Sequence, residues 1–462
     1  MTKRILPFLL PLLMAPIAHA QVDLIAIGQV DGNYQDLSPR TAGALENGVA
    51  GNLLGGVGSG LAYAGGNTFI ALPDRGPNAT PYNTAVDDTT SFIPRLQTFN
   101  LSLAVNPSYD ALTVGSMPYI LSPQLTATTL LSSPAALSYA VGGAPALNKP
   151  GYNYFTGRSD NFNAAVSKSG ATQNSTYDRH GRLDPEGVRV SNDGKSVFIS
   201  DEYGPFVYQF SRSTGKRLKS FKLPSYFAVA HLNAVGNTEI SGNTSGRVAN
   251  KGMEGLAISP DGSTLIGMMQ QNLAQDTGKI GGKKVLRIIT IDIASGATHE
   301  YAYALTDGSS ASDILAINDH EFLVDERDGS GLGNGDAAVV KKLYKIDLTG
   351  ATDISGVAVL NTTALASVTP VSKSLFLDVF LKLTTNGISA TNVPAKIEGV
   401  AFGPDLVVGG VTKHTLFIAN DNDFLPAVGG PNKFFVFTVD TADLNRTPQT
   451  IAPFALDKAD RG

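Results

Sequence analysis

Cysteine and tryptophan are both absent from this 462-residue chain. Without cysteine there is no disulfide, no thiolate nucleophile, no sulfur ligand for zinc and no acceptor for a lipid anchor, so the fold must rest on its apolar core. Charge is also sparse, at 16% of residues with a formal net charge of −5. The longest basic runs are pairs, such as Lys283-Lys284 and Lys341-Lys342. That excludes the clustered cations a nucleic-acid partner requires. The six histidines are isolated, and none pairs at metal-ligand spacing. No Gly-x-Ser-x-Gly elbow occurs, so a serine hydrolase of the common kind has no visible nucleophile. The glycine-rich stretch from Gly51 to Gly60 lacks the Gly-Lys-Ser/Thr ending of a phosphate-binding loop.

What is present begins with a leader. Lys3 and Arg4 precede an uncharged apolar stretch from Ile5 to Ile17, and Ala18-His19-Ala20 supplies a small-x-small cleavage pattern. A signal peptide over 1–20 is expected, with a periplasmic or secreted product and no membrane span after cleavage. Pro7, Pro11 and Pro16 interrupt the stretch, which is short for a bilayer-spanning helix. Beyond it, 49 Gly, 25 Pro and the lack of sustained helical periodicity point to many short strands joined by turns. Residues 21–462 are expected to form one all-β domain.

Internal repeats define that domain. Segments starting at Asp184, Gly252 and Ile397 share Glu-Gly, alternating apolar residues, a polar turn and a second apolar strand, and weaker copies start at Gly58 and Ser312. Each copy reads as a β-hairpin, and most are followed by further strand-like runs. Two hairpins make a four-stranded antiparallel sheet, and repeating such sheets about an axis gives a β-propeller. The interval from Gly60 to Glu186 is about twice the next one, which suggests six blades, with five and seven open. A loop-rich excursion is expected near 120–180, and Val22 to Val30 is expected to complete the last blade.

Pairing within the hairpins predicts a site. Setting Glu186 opposite Asp201 centres a turn on Asn192-Asp193-Gly194, and Asp313 opposite Asp325 does the same at Asp319. Glu254 opposite Gln270 centres on Gly262, while Glu398 opposite Asn420 encloses a wider loop. Polar residues therefore recur at one end of the ring: Asp74-Arg75, Glu186 with Asp201-Glu202-Tyr203, Glu254 with Gln270, Asp325-Glu326-Arg327, and Glu398 with Asp421 and Asp423. Clustered carboxylates repel one another and require cations or protons nearby. An oxygen-only donor set suits calcium better than zinc. Asp201, Glu202, Asp325, Glu326, Asp421 and Asp423 are the candidate metal ligands. Repeated acidic residues also serve structurally, by accepting backbone amides.

Arg179 to Pro185 resembles the histidine acid phosphatase signature, but Leu183 replaces its second Arg and no His-Asp follows. His180 is therefore read as a solvated turn residue. The set Asp74-Arg75-Gly76-Pro77-Asn78, Asp184-Pro185-Glu186-Gly187, Ser200-Asp201-Glu202-Tyr203-Gly204-Pro205, Gly252-Met253-Glu254-Gly255 and Ile397-Glu398-Gly399-Val400 resembles the phytase-like family named for an esterase-like activity of phytase. The resemblance runs from about residue 25 to 440. It implies an exported propeller acting on a small-molecule phosphoester or ester, with calcium holding a phosphate and activating a water. On that reading Glu186 or Glu254 serves as base beside the catalytic Arg75 and Arg327, and Asp74, Arg75, Tyr203, Gln270, Arg327 and Glu398 contact substrate. Calcium phytases also use several Lys and Arg around the phosphate. Only Arg75, Arg327, Arg158 and Arg179 offer themselves here. The alternative is a non-catalytic exported propeller that binds a ligand, carbohydrate or protein at the same acidic mouth.

Overall fold

Short alternating segments of Val, Ile, Leu and Phe, each ended by Gly, Asn or Asp, fold into five antiparallel blades. The computed structural model describes residues 21–78, 89–139, 148–149, 151–159, 175–233 and 236–454. The expected leader at 1–20 lies outside them. From the centre outward, blade I comprises Gly60–Tyr63, Thr68–Leu72, Arg95–Val105 and Tyr119–Leu130. Blade II comprises Pro185–Val190, Ser196–Asp201, Phe206–Ser211 and Arg217–Lys222. Blade III comprises Met253–Ile258, Thr264–Met269, Lys283–Asp292 and Thr298–Ala304. Blade IV comprises Ser310–Ala316, Glu321–Arg327, Lys341–Asp347 and Ser372–Asp378. Blade V comprises Lys396–Phe402, Val411–Asp421 and Asn432–Asp440, and its outermost strand is the N-terminal Val22–Val30.

The ring closes on apolar packing. Five clusters of buried side chains each join two neighbouring blades: I to II, II to III, III to IV, IV to V and V to I. Period-two alternation sends successive side chains of one strand into the two flanking layers, so a blade cannot bury both faces without both neighbours. The count is five rather than six because the long first interval holds the outer half of blade I and a small three-stranded sheet. That sheet is built from Ser132–Ser133, Tyr152–Tyr154 and Asn148–Lys149.

The glycine of the repeated Glu-Gly pair has a packing reason. A Cβ on Gly187 would stand 2.5 Å from the backbone nitrogen of Leu256, on the inner strand of the next blade. On Gly255 it would lie 2.9 Å from the backbone of Asp313, and on Gly399 it would lie 2.8 Å from the nitrogen of Leu61. The inner strands approach closely at these points because one residue per strand has no side chain. Gly187→Ala is therefore expected to destabilise the protein by about 1–3 kcal/mol through overpacking, read as a fall in the urea midpoint. A midpoint equal to that of the parent would show that the strands can part.

A buried ion pair ties inner strands of different blades together. Arg189 of blade II donates from Nη2 to both Asp313 oxygens, at 3.1 and 3.0 Å, and from Nη1 to the Leu61 carbonyl. Asp313 also accepts the Val400 amide at 2.9 Å. Asp313, the weakest member of the repeat series, thus ties blades together instead of joining the acidic mouth. At the far end, the C-terminal segment crosses beneath the ring through Thr447 N to the Ile317 carbonyl and Ala452 N to the Asn192 carbonyl, each at 2.8 Å.

Candidate functional site

Four inner hairpins carry a β-bulge at the same end. The register breaks between Ile199 and Asp201, Met253 and Gly255, Ala311 and Ile314, and Ile397 and Val400. Toward the turns the expected pairings hold in blades II, IV and V, with Val197 facing Val190, Ile314 facing Val324 and Val400 facing Ile418. At the mouth they slip by one, so Asp201 faces Pro185 and Asn420 faces Ile397. Blade III is one residue out of the expected register, with Leu256 facing Gly267. An extra residue re-aims the side chains beside it. Glu186, Glu254 and Glu398 all sit at these steps.

The result is one cavity of about 220 Å³ at the channel mouth. Ten of the expected residues line it: Asp74, Arg75, Glu186, Glu202, Glu254, Gln270, Arg327, Glu398, Asp421 and Asp423. Arg327 is the central cation, with Nη2 2.5 Å from Glu398 and 3.7 Å from Glu254, and Nε donating to Ser312 Oγ at 2.7 Å. Gln270 donates to Glu254 Oε1 at 2.7 Å, which leaves the buried Glu254 Oε2 without a hydrogen-bond partner. Arg75 reaches Asp184 at 3.4 Å and Asp74 at 3.7 Å, and its amide also donates to Asp184.

Four expected residues lie elsewhere, and each has a physical reason. Glu326 follows Asp325 on a strand, so it points to the opposite face. There it accepts Tyr303 Oη, Lys373 Nζ and the amides of Thr306, Asp307 and Gly308. Asp201 folds back to accept the amides of Asp184 and Tyr203 at 3.2 and 3.0 Å. Tyr203 donates its hydroxyl to the Gly157 carbonyl at 2.9 Å, beneath the mouth. Asp325 shares a face with Arg327 but is fully buried outside the cavity lining, with neither oxygen hydrogen-bonded. His180, read as a solvated turn residue, is instead buried edge-on against Tyr177. Arg158 pairs with Glu46 at 3.1 Å, outside the mouth lining.

Lys251, Lys396, Asn250 and Asn334 add the other polar side chains of the lining and were not among the expected residues. Lys396 carried a signal: it stands two positions before Glu398, hence on the same strand face. Asn250 and Lys251 carried none, because they are set by a loop in which Asn250 adopts a φ of 56°. Seven carboxylates thus share the cavity with four cationic side chains.

Burial governs the electrostatics. It raises Asp74 to about 7, helped by the charge of Asp421. It raises Asp421 to about 6 against the pull of Lys396, and Asp201 to about 7. Glu186 is pushed well above the usual range by burial and then by Glu254, Asp184 and Glu202, and Glu254 by burial and then by Glu202 and Glu398. Groups raised in the folded state hold protons that the unfolded chain has lost, so their contribution is complete below about pH 4 and declines as pH rises through 6 to 7. The cation-free protein is expected to lose on the order of a few kcal/mol between pH 5 and pH 8. Added calcium should restore more melting temperature at pH 8 than at pH 5. Equal calcium shifts at both values would contradict these proton assignments.

Two sets of carboxylates meet the geometry of a cation site. One oxygen from each of Asp184, Glu186 and Glu202 lies within 4.8 Å of the others, and the same holds for Asp74, Asp421 and Asp423. Three oxygens so spaced can all contact one ion at about 2.3–2.6 Å, the calcium range, and the all-oxygen donor set fits that ion.

A relative in Arthroderma benhamiae, named an uncharacterized secreted protein, is 29% identical over 331 residues, 61% of this chain. The chain spans 60% of that relative's length. No helix among the described residues is long and apolar enough to cross a membrane. Among solved structures, hydrazine synthase of Kuenenia stuttgartiensis superposes with a TM-score of 0.30 at 11% identity, covering 81% of this chain and 80% of that one. Sqt1 of Saccharomyces cerevisiae gives 0.31 at 8% identity, covering 81% and 69%. Both likenesses are too loose to carry an argument. The family model described as an esterase-like activity of phytase matches residues 52–424. That span runs from ahead of blade I to the acidic loop of blade V, and the chain belongs to this phytase-like family.

Proposed function

We propose that the protein is an exported hydrolase, periplasmic or secreted, that cleaves small phosphoesters or carboxyl esters at the propeller mouth with the help of calcium. The observation that carries this reading is the gathering of seven carboxylates and four cationic side chains from all five blades in one cavity. Bound calcium would supply Lewis-acid polarisation of a substrate oxygen, with Asp184, Glu186, Glu202, Asp74, Asp421 and Asp423 as the oxygens available to hold it.

The chain's own groups divide the remaining work. Arg75, Lys251, Arg327 and Lys396 orient an anionic or carbonyl oxygen. Glu254 keeps a proton at Oε2, because burial and the nearby charges of Glu202 and Glu398 favour the neutral acid. It delivers that proton to the leaving oxygen, while Gln270 fixes its carboxyl group through Oε1. Of the two carboxylates expected as base, Glu254 is thereby assigned as acid.

One observation favours a second reading, in which the mouth only binds. Arg75, Arg327 and Lys396 are each already paired with a carboxylate, which limits their hold on a further anion. Assay of the purified mature chain on phosphoester and carboxyl-ester panels, with calcium or with chelator, separates the two. Chelator-sensitive turnover supports hydrolysis. Calcium-dependent melting with no turnover on any substrate supports binding alone.

A further inference from the structure

The two acidic groups each bring three carboxylate oxygens within 4.8 Å of one another but differ in what fills them. In the group of Asp74, Asp421 and Asp423, the ammonium of Lys396 lies 3.0 Å from Asp421 Oδ2 and also bonds Asp423. The backbone enforces that position, because Lys396 is the strand partner of Asp421. The loop beyond is braced around it. Asp423 and Phe424 hold φ values of 54° and 55°, and Asn422 Oδ1 accepts the amides of Gly56 and Phe424 at 3.0 and 3.2 Å. Two consecutive non-glycine residues in the left-handed region persist only where the surroundings over-determine them. This group already has its cation.

The group of Asp184, Glu186 and Glu202 does not. Asp184 receives Arg75, and Glu202 Oε1 accepts the Gly252 amide at 3.1 Å. Glu186 is only 5% exposed, lines the cavity, and accepts no hydrogen bond or ion pair from any described residue. A carboxylate buried without a partner is costly unless something neutralises it. Three carboxylates beside one guanidinium leave a negative charge that a divalent ion would balance.

We propose that the mouth takes one exchangeable divalent cation, held by Asp184, Glu186 and Glu202, and that Lys396 permanently occupies the second acidic group. The proposal rests on the reading of the mouth as a cation-assisted site and fixes the position and number of its ions. Lys396 acts there as a built-in cation, which keeps the second group closed to metal while leaving charge at the mouth to meet substrate.

Calorimetric titration of the purified mature chain with calcium tests it. The parent binds one equivalent, Glu186→Gln loses at least tenfold in affinity, Lys396→Met binds two, and Lys396→Arg returns to one. Asp423→Asn, in a background that keeps Lys396, still binds one, so the assignment can be judged even if Lys396→Met does not fold. Two equivalents in the parent would overturn the assignment and leave cation assistance standing. So would a single equivalent lost with Asp423→Asn and retained with Glu186→Gln. Calcium binding by none of the chains would overturn both readings.

Discussion

An Arg327→Met chain is expected to be about 3–5 kcal/mol less stable than the parent at neutral pH, the cost of breaking a buried ion pair. The side chains of Arg327, Glu254 and Glu398 are 8%, 4% and 4% exposed. Removing the guanidinium leaves the buried Glu398 without its cation beside the protonated Glu254, and methionine replaces volume but not charge. Adding Glu398→Gln to the same chain should recover part of the loss, because the second change removes the carboxylate left without its partner. A double-mutant cycle in urea measures this coupling directly. A single variant within 0.5 kcal/mol of the parent would mean that Glu398 does not depend on Arg327 as its partner, and the charge balance described for the mouth would be wrong.

Glu254→Gln should do the opposite. Turnover is expected to fall by about 10² to 10⁴-fold, the usual contribution of a positioned proton donor. The melting temperature should hold, since the neutral amide replaces a carboxyl group that burial already keeps protonated. The pH profile provides a second readout. In the parent, activity should decline as alkaline pH strips the proton from Glu254, and in the variant that limb should vanish from the residual rate. Turnover within twofold of the parent would assign Glu254 to structure alone. A large loss of stability alongside the loss of rate would make its role one of folding.

Much of the ring was legible because its signals are local. Period-two alternation marks the hairpins, and the Glu-Gly pair marks the inner strands, since only glycine admits the neighbouring backbone at Gly187, Gly255 and Gly399. The closure of blade V by Val22–Val30 was also readable as a lone strand ahead of the first repeat. The blade count was not, because the residues after Gly60 spend their length on two long outer strands and a small extra sheet.

At the mouth, pairing arithmetic placed Glu186, Glu254 and Glu398 at one end of the ring, and all three line the cavity. It ignored the bulges, which a sequence pattern does not reveal and which shift each pairing by one residue at its end. The same arithmetic grouped Glu326 with Asp325, although alternation sends them to opposite faces. It also passed over Lys396, which alternation places beside Glu398. Asp201 was read as a ligand from its charge, whereas its short side chain is taken up by the amides of Asp184 across the hairpin and of Tyr203 in the following turn.

The proposed hydrolysis requires that the open carboxylates of the mouth on which the five blades converge hold a working cation. A crystal structure of the mature chain grown with calcium and inorganic phosphate tests it most directly. One calcium is expected to contact Asp184, Glu186 and Glu202 at about 2.3–2.6 Å, with phosphate beside it in the cavity and Lys396 still bound to Asp421. An empty mouth, or calcium bound only at sites outside the ring's axis, would contradict it.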